Sequence, residues 1–419
     1  MNDLRSQFSE ERSISCIAAI DKALAVCDQQ GLQVLFDYVG RELKTYVCNI
    51  TDKGGYSTSG MGKGLGLQAK ASSIYEALEH YYHELECPET QAVTFTKNKV
   101  LESPLARGSP PLEEVIGGNS YVFECIRFQS LQFGGNTLDY PAFLTDPLWL
   151  EVARKDEQAI NVTGLNRYST NSGTASGSIL EDAILHASLE LIERDALGIA
   201  LLRTALKKNP EPVFEINKNT LPIEMQELCR KVASEAGCAI SIYDITSDLK
   251  VPVILAAIKR KGELYNFFGS GASLYPDYAI ERACLEALQC VHSQVYYGST
   301  LPNVRIQDPE GILPYARCFL ESGVYCYRGG KKEISYDEFL SKRTLCAPIA
   351  HDSTQQLGII KELAGSQGVE FFVREIPTGS NDLALAQVVA PSLERFHLVS
   401  HGIFVSPGFR GKKVIEGTL

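Results

Sequence analysis

Apolar residues in the stretch 14–30, ISCIAAIDKALAVCDQQ, recur every three or four positions, which predicts an amphipathic helix stopped by Gly31. The runs LQVLFDYV and LKTYVCNI that follow predict two strands, with Gly40 opening the turn between them. Residues 54–66, GGYSTSGMGKGLG, read as a Gly/Ser-rich loop and 68–86 as a long helix. The Pro/Gly-punctuated stretch 87–118 reads as a surface excursion, YVFECIRF as a strand, and 135–148 as irregular chain. A second small-residue loop at 169–178 precedes a strong helix from about 179 to 206. Helix 221–236, strands AISIYDI and VPVILAAIK, a third small-residue loop at 269–273 and helix 278–297 come next. The last third predicts a helix over 355–365, strands EFFVREI and ALAQVVA, and a polar tail. Helices and strands mix without strict alternation. That predicts an α+β fold, mixed sheets flanked by helices, and argues against a TIM barrel.

Composition narrows the class. Of 419 residues, 44% are hydrophobic and 22% charged, which excludes disorder, collagen and coiled coil. The net charge of −11, with no basic block, excludes a general nucleic-acid surface. The twelve cysteines include no C-x-x-C, and the closest pair, Cys284 and Cys290, is six apart, so neither a zinc ribbon nor a thioredoxin-like site is expected. The start MNDLRSQFSEERS is polar and lacks an apolar run, so no signal peptide is expected, and no stretch approaches a membrane span. Free thiols then suit the cytoplasm.

Candidate chemistry lies on three helices, each preceded by a small-residue loop. Their polar groups recur at steps of four and three, which return to one helical face: Ser72, Glu76 and Glu79; His186, Glu190 and Glu193, with Asp182 one turn earlier; Arg282, Glu286 and Gln289. The flanking residues of ILEDAILHASLELIERDAL are so apolar that this helix is expected to be buried. Buried carboxylates must be paired or hold metal. Two E-x-x-E pairs, Glu76/Glu79 and Glu190/Glu193, would supply four hard oxygen ligands suited to Mg2+ bridging to phosphate. Arg194 and Arg282 would contact phosphate oxygens, and the loops would offer backbone N–H groups to anions. A lone E-x-x-E is usually a solvated face; two on apolar helices after Gly-rich loops are the stronger signal. A di-iron bundle would need Glu-x-x-His, but the fourth positions are Glu79 and Glu193. A P-loop aligned on Gly62-Lys63 fails at Ser57 and at Gly64.

These residues resemble the YcaO family. MGKGLGLQAKASSIYEALEHYYHEL is similar to that family's Gly-Lys-Gly loop and first Glu-x-x-Glu helix, and SGTASGSILEDAILHASLELIERDAL to its second signature. LPIEMQELCRKVASEAGCAISIYDITSDLKVPVILAAI matches the following helix–strand–strand unit, ASLYPDYAIERACLEALQCVHS the third signature, and ALAQVVAPSLERFH the late V-x-V-x-x-P-x-x-E stretch. The resemblance runs from about residue 15 to 410. It implies one YcaO domain core over 54–410, preceded by a helix–strand–strand segment over 1–53 and followed by a polar tail over 411–419.

The resemblance further implies an ATP- and Mg2+-dependent enzyme that activates a peptide backbone amide. A nucleophile adds to the amide carbonyl, and the oxygen is phosphorylated and expelled as phosphate. Cys, Ser or Thr as nucleophile gives an azoline, a sulfide source a thioamide, and an amine an amidine. By position, Ser72, Glu76, Glu79, Ser178, Asp182, Glu190, Glu193, Arg194, Arg282, Glu286 and Gln289 would line the ATP site, with Glu76, Glu79, Glu190 and Glu193 toward the metal. Proton-transfer residues are not identified. His80 stands where the family has Arg, Asp182 where Glu is commoner, and Asn171-Ser172-Gly173 is shifted by one from the usual Asn-Gly. The Pro-x-Pro-x-Pro tail of many azoline-forming members is missing, the last proline being Pro407. A precursor peptide as substrate, a separate leader-binding protein, a flavin dehydrogenase and a homodimer are the expected partners. A nucleotide-binding scaffold without turnover is the non-enzymatic alternative.

Overall fold

The computed structural model describes residues 11–96, 121–149, 165–259, 266–298, 318, 319, 322, 329–341 and 352–419. Most of the stretch expected as a surface excursion lies outside these residues. The helices are α1 (Cys16–Gln30), α2 (Leu67–Leu85), α3 (Leu180–Leu201), α4 (Ile223–Ala236), α5 (Pro276–Tyr297), α6 (Tyr336–Ser341), α7 (Ser353–Ser366) and α8 (Phe409–Glu416). The strands are β1 (Gln33–Val39), β2 (Thr45–Thr51), β3 (Ser57–Gly62), β4 (Gln91–Phe95), β5 (Tyr121–Ser130), β6 (Thr137–Pro141), β7 (Thr174–Gly177), β8 (Val213–Ile216), β9 (Ile240–Asp244), β10 (Val253–Ile258), β11 (Phe267–Ala272), β12 (Lys331–Ile334), β13 (Phe372–Ile376) and β14 (Ala384–Val389).

The caps of α1 follow from its sequence. Ser15 Oγ accepts the Ala18 N–H at 3.3 Å, and Gly31 ends the helix at φ 68°, a left-handed conformation that costs glycine little. The strands form three sheets: β1–β2–β3, β11–β10–β9–β8–β12, and β4–β5–β13–β14–β7 with β6 paired to β5. Their pairings are antiparallel except β8 with β12. This is the expected α+β architecture with mixed sheets.

The first two small-residue stretches read as loops contain strands β3 and β7, and the third holds most of β11, each an edge of its own sheet and each feeding the helix that follows. Glycine's poor strand propensity hides them in the sequence. The reason glycine is there is the helix lying directly on the strand. A Cβ on Gly60 would sit 2.3 Å from Ser73 O, and one on Gly269 would sit 2.1 Å from the Ala287 N, distances no side chain tolerates. Small residues thus let α2 and α5 approach β3 and β11 at backbone range.

Two other expectations change. The irregular stretch 135–148 includes β6, whose Leu138 pairs opposite Phe128. The polar tail instead includes α8, docked with Arg410, Gly411 and Val414 buried. Helix α3 is buried along nearly its whole length, as its dense apolar residues predict, and continues through a π-turn at Leu202–Leu206. Leu185, Leu189, Ile192 and Ile199 are at most 1% exposed, and burial of each side chain contributes about 1.5–3 kcal/mol. Ile192 and its neighbours pack on β9–β11 and α7, while Ile199 reaches a second core around Phe128, Tyr140 and Phe396. Among the described residues no helix is long and apolar enough to cross a membrane.

Candidate functional site

The edge strands β3, β7 and β11 come together, because α2 packs on β7 as well as β3, and α3 on β11 as well as β7. An edge strand leaves backbone groups without ladder partners. Side chains from the neighbouring unit meet groups on each edge in rotation. Glu79 on α2 accepts the Ser176 N–H of β7 at 2.9 Å. Glu193 on α3 accepts the Ser270 Oγ–H of β11 at 2.6 Å. Gln289 on α5 donates to the Met61 carbonyl of β3. The three helices carry their polar lines at matching offsets, so the ring closes on itself.

Inside the ring is a cavity of about 430 Å3. Ser72, Glu76 and Glu79 reach it from α2, Asp182, Glu190, Glu193 and Arg194 from α3, and Arg282, Glu286 and Gln289 from α5, with Ser178 from the turn before α3. Every site residue expected from the sequence therefore lines one space. One border is apolar, where Cys16 and Ala19 of α1 pack with Ala71 of α2. The rest of the lining carries the carboxylates and guanidinium groups.

The carboxylates are unequally partnered. Glu193 accepts Arg194 Nη1 at 3.0 Å as well as Ser270. Burial alone would raise its pKa, but Arg194, Lys63, Arg282 and that hydroxyl hold it below the ordinary range. Glu190 accepts the Gly173 N–H at 3.2 Å and lies 3.4 Å from Arg194 Nη2, yet burial pushes it up. Burial also lifts Glu76 to about 7, with Glu286 and Glu190 adding to the rise, and pushes Glu79 well up, with Glu190 and Glu76 adding. Lys63 pairs with Glu286 at the cavity wall. Negative charge thus exceeds the cations available to it, which is the condition a divalent cation relieves.

Among the described residues no three ligating groups converge closely enough to cage an ion by themselves. Mg2+ rarely needs such a cage, since it usually takes one or two carboxylates and fills its shell with phosphate oxygens and water. The oxygen-only set Glu76, Glu79 and Glu190 fits that chemistry. Glu193, tied to Arg194 and Ser270, is better suited to holding the guanidinium than to ligation.

The sequence pattern did not disclose the part played by residues 11–13. Glu11 is 4% exposed and lies 3.3 Å from Arg282 Nη1. Arg12 Nη1 donates to the Ser176 carbonyl at 3.1 Å, and Ser13 Oγ donates to Asp182 Oδ2 at 2.6 Å. Asp182 also accepts Ser178 Oγ–H at 3.0 Å and Ser353 Oγ–H at 2.8 Å, so it organises the strap, the turn and the start of α7. Glu11, Arg12 and Ser13 are each more than 160 residues from these partners in the chain, and no local pattern signals the contacts. His186, on the polar line of α3 but given no role from sequence, lines the cavity beside Arg282.

A family model described as YcaO cyclodehydratase, ATP- and Mg2+-binding, matches residues 61–394. An uncharacterized protein of Methanothermobacter thermautotrophicus is 28% identical over 239 residues, 55% of this chain and 56% of its own. The chain spans about half the length of the curated relatives it matches. YcaO from Methanopyrus kandleri, solved bound with AMPPCP and Mg2+, superposes with a TM-score of 0.65 at 19% identity, covering 96% of this chain and 97% of that one. A heterocyclase solved in complex with substrate and cofactor gives 0.60 at 16% identity, covering 91% and 53%. With motif order, fold and the matched span in agreement, the chain belongs to the YcaO family of ATP- and Mg2+-binding cyclodehydratases.

Proposed function

We propose that this chain uses ATP and Mg2+ to activate a backbone amide of a ribosomally made peptide and closes a Cys, Ser or Thr side chain onto it with loss of water, giving an azoline. The observation that carries this reading is one cavity in which under-neutralised carboxylates, the guanidinium groups of Arg12, Arg194 and Arg282, and an apolar border meet. In this reading the base of the nucleotide rests near Cys16, Ala19 and Ala71, and the phosphates lie toward Arg194 and Arg282. Glu76, Glu79 and Glu190 hold the metal, which when bound neutralises phosphate charge. Glu193 orients Arg194 through their 3.0 Å contact. Ser72, Ser178, Asp182, Glu286 and Gln289 complete the polar wall. Lys63, paired to Glu286, adds a cation to it.

The substrate in this reading is a precursor peptide delivered by a separate leader-binding protein, with a flavin dehydrogenase and a homodimer as further partners. Mass spectrometry of the precursor after incubation with ATP, Mg2+ and the leader-binding protein tests it. The expected product has lost one water per ring, and no mass change under complete conditions overturns the reading. Replacing Glu79 by Gln is expected to abolish ATP consumption; unchanged product yield would instead mark the chain as a nucleotide-binding scaffold.

A second reading is thioamide or macroamidine formation by the same activation. The same cavity lining supports amide activation whichever nucleophile attacks, sulfide or an amine included. Exchange of a carbonyl oxygen for sulfur identifies the thioamide, and fragmentation separates a macroamidine from an azoline.

A further inference from the structure

On the face of α3 that lines the cavity, His186 lies between the turn of Asp182 and the turn of Glu190, and its Nδ1 is 3.4 Å from Arg282 Nη1. A guanidinium has only donors, so this contact requires Nδ1 to be the acceptor and therefore unprotonated. The ring proton must then sit on Nε2. Nε2 has no protein partner among the described residues, and the ring lines the cavity. The same Arg282 Nη1 contacts Glu11 at 3.3 Å, so one guanidinium nitrogen ties the carboxylate and the imidazole together.

The geometry points to His186 as a further nucleotide-contacting residue, a neutral donor whose Nε2–H bonds a phosphate oxygen and whose tautomer is set by Arg282. Burial, with Arg12, Arg282 and Lys63 nearby, keeps the imidazole well below its ordinary range and so neutral. With Nδ1 engaged by Arg282, the ring is not available as a base, and its function is to bind and orient. A donor bonded to an anionic oxygen is stronger than a neutral pair, which gives one uncharged ring a measurable share in binding. The inference rests on the reading of the cavity as a nucleotide site.

Two substitutions separate the ring's two edges. His186→Asn keeps an acceptor near the Nδ1 position for Arg282, but its short amide places no N–H near the Nε2 position. His186→Gln restores an N–H near the Nε2 position. Calorimetry with Mg2+ and a non-hydrolysable ATP analogue is expected to show binding weakened roughly ten- to hundredfold in His186→Asn. His186→Gln is expected to stay within about threefold of the unaltered chain. Nitrogen-15 NMR of the ligand-free protein at neutral pH is expected to show a protonated Nε2 and a bare Nδ1. Equal affinity of His186→Asn and the unaltered chain, or a ring protonated on Nδ1, overturns the inference. Failure of the unaltered chain to bind the analogue overturns the nucleotide reading itself.

Discussion

Helix α3 carries two buried ionic regions, and they are built on opposite principles. Toward the cavity it presents Glu190, Glu193 and Arg194, whose surroundings leave negative charge in excess. One residue on, Asp195 lies outside the cavity lining and is fully buried. It accepts Arg410 Nε at 2.8 Å, Arg410 Nη2 at 3.0 Å and the Glu394 N–H at 2.9 Å. Arg410 also reaches Asp248 at 3.1 Å, and Glu394 accepts the N–H groups of Gly408, Gly411, Arg395 and Phe396 at 2.8–3.0 Å. The C-terminal region saturates its charges with protein partners and pins α8 to the core. The cavity leaves its charges for a ligand. Burial of charge therefore marks a functional site only where the partners are too few.

The sharpest way to break this contrast is Arg410→Met. It leaves Asp195 buried and unpaired, and stability is expected to fall by about 3–5 kcal/mol, read from the urea midpoint. An unchanged midpoint would mean that the C-terminal network is not structural. The cavity should respond in the opposite sense. Mg-ATP at a hundredfold excess over its Kd is expected to raise stability by about 2.7 kcal/mol. In Glu76→Gln that rise is expected to disappear, while the ligand-free protein gains on the order of 1–3 kcal/mol at pH 8, since a carboxyl lifted toward 7 is costly to ionise there. A ligand-free loss in Glu76→Gln would place that residue with the saturated charges.

Acid titration tests an exception within the saturated region. Glu394 is raised from its ordinary 4.5 to about 7, first by burial and then by Asp195, despite its four N–H donors. A raised pKa means the folded state binds the proton more tightly. The contribution is complete below about 4.5 and is lost as pH rises through about 7. Replacing Glu394 by Gln is expected to flatten the decline of stability with pH over that window, whatever its effect on absolute stability; an unaltered slope would mean Glu394 ionises freely. The smallest effect is expected at Lys63–Glu286, whose side chains are 26% and 21% exposed. Lys63→Met is expected to change ligand-free stability by less than about 1 kcal/mol in a thermal melt. A larger loss would move that pair into the structural class.

Much of this was legible from the chain. The helical periodicity located α2, α3 and α5 to within a few residues and put Ser72, Glu76, Glu79, Asp182, Glu190, Glu193, Arg282, Glu286 and Gln289 on their polar faces. Strands β3, β7 and β11 were not legible, because their Gly and Ser residues answer to a helix packed above them and not to strand propensity. Helix α8 left a faint signal: Arg410 and Val414, one turn apart, are both buried, but a lone arginine beside two lysines reads as surface until Asp195 is seen beneath it.

The sequence by itself determined the polar lines, their matching offsets and the family, since each is set by spacing along one helix. Only the tertiary structure decided that the lines face one another. The rotation from Glu79 to β7, from Glu193 to β11 and from Gln289 back to β3 links residues far apart in the chain. The same holds for the strap of Glu11, Arg12 and Ser13, and for the tautomer of His186. Periodicity fixes direction within an element, whereas partnership between elements depends on which edges and faces are left unsatisfied once the cores have packed.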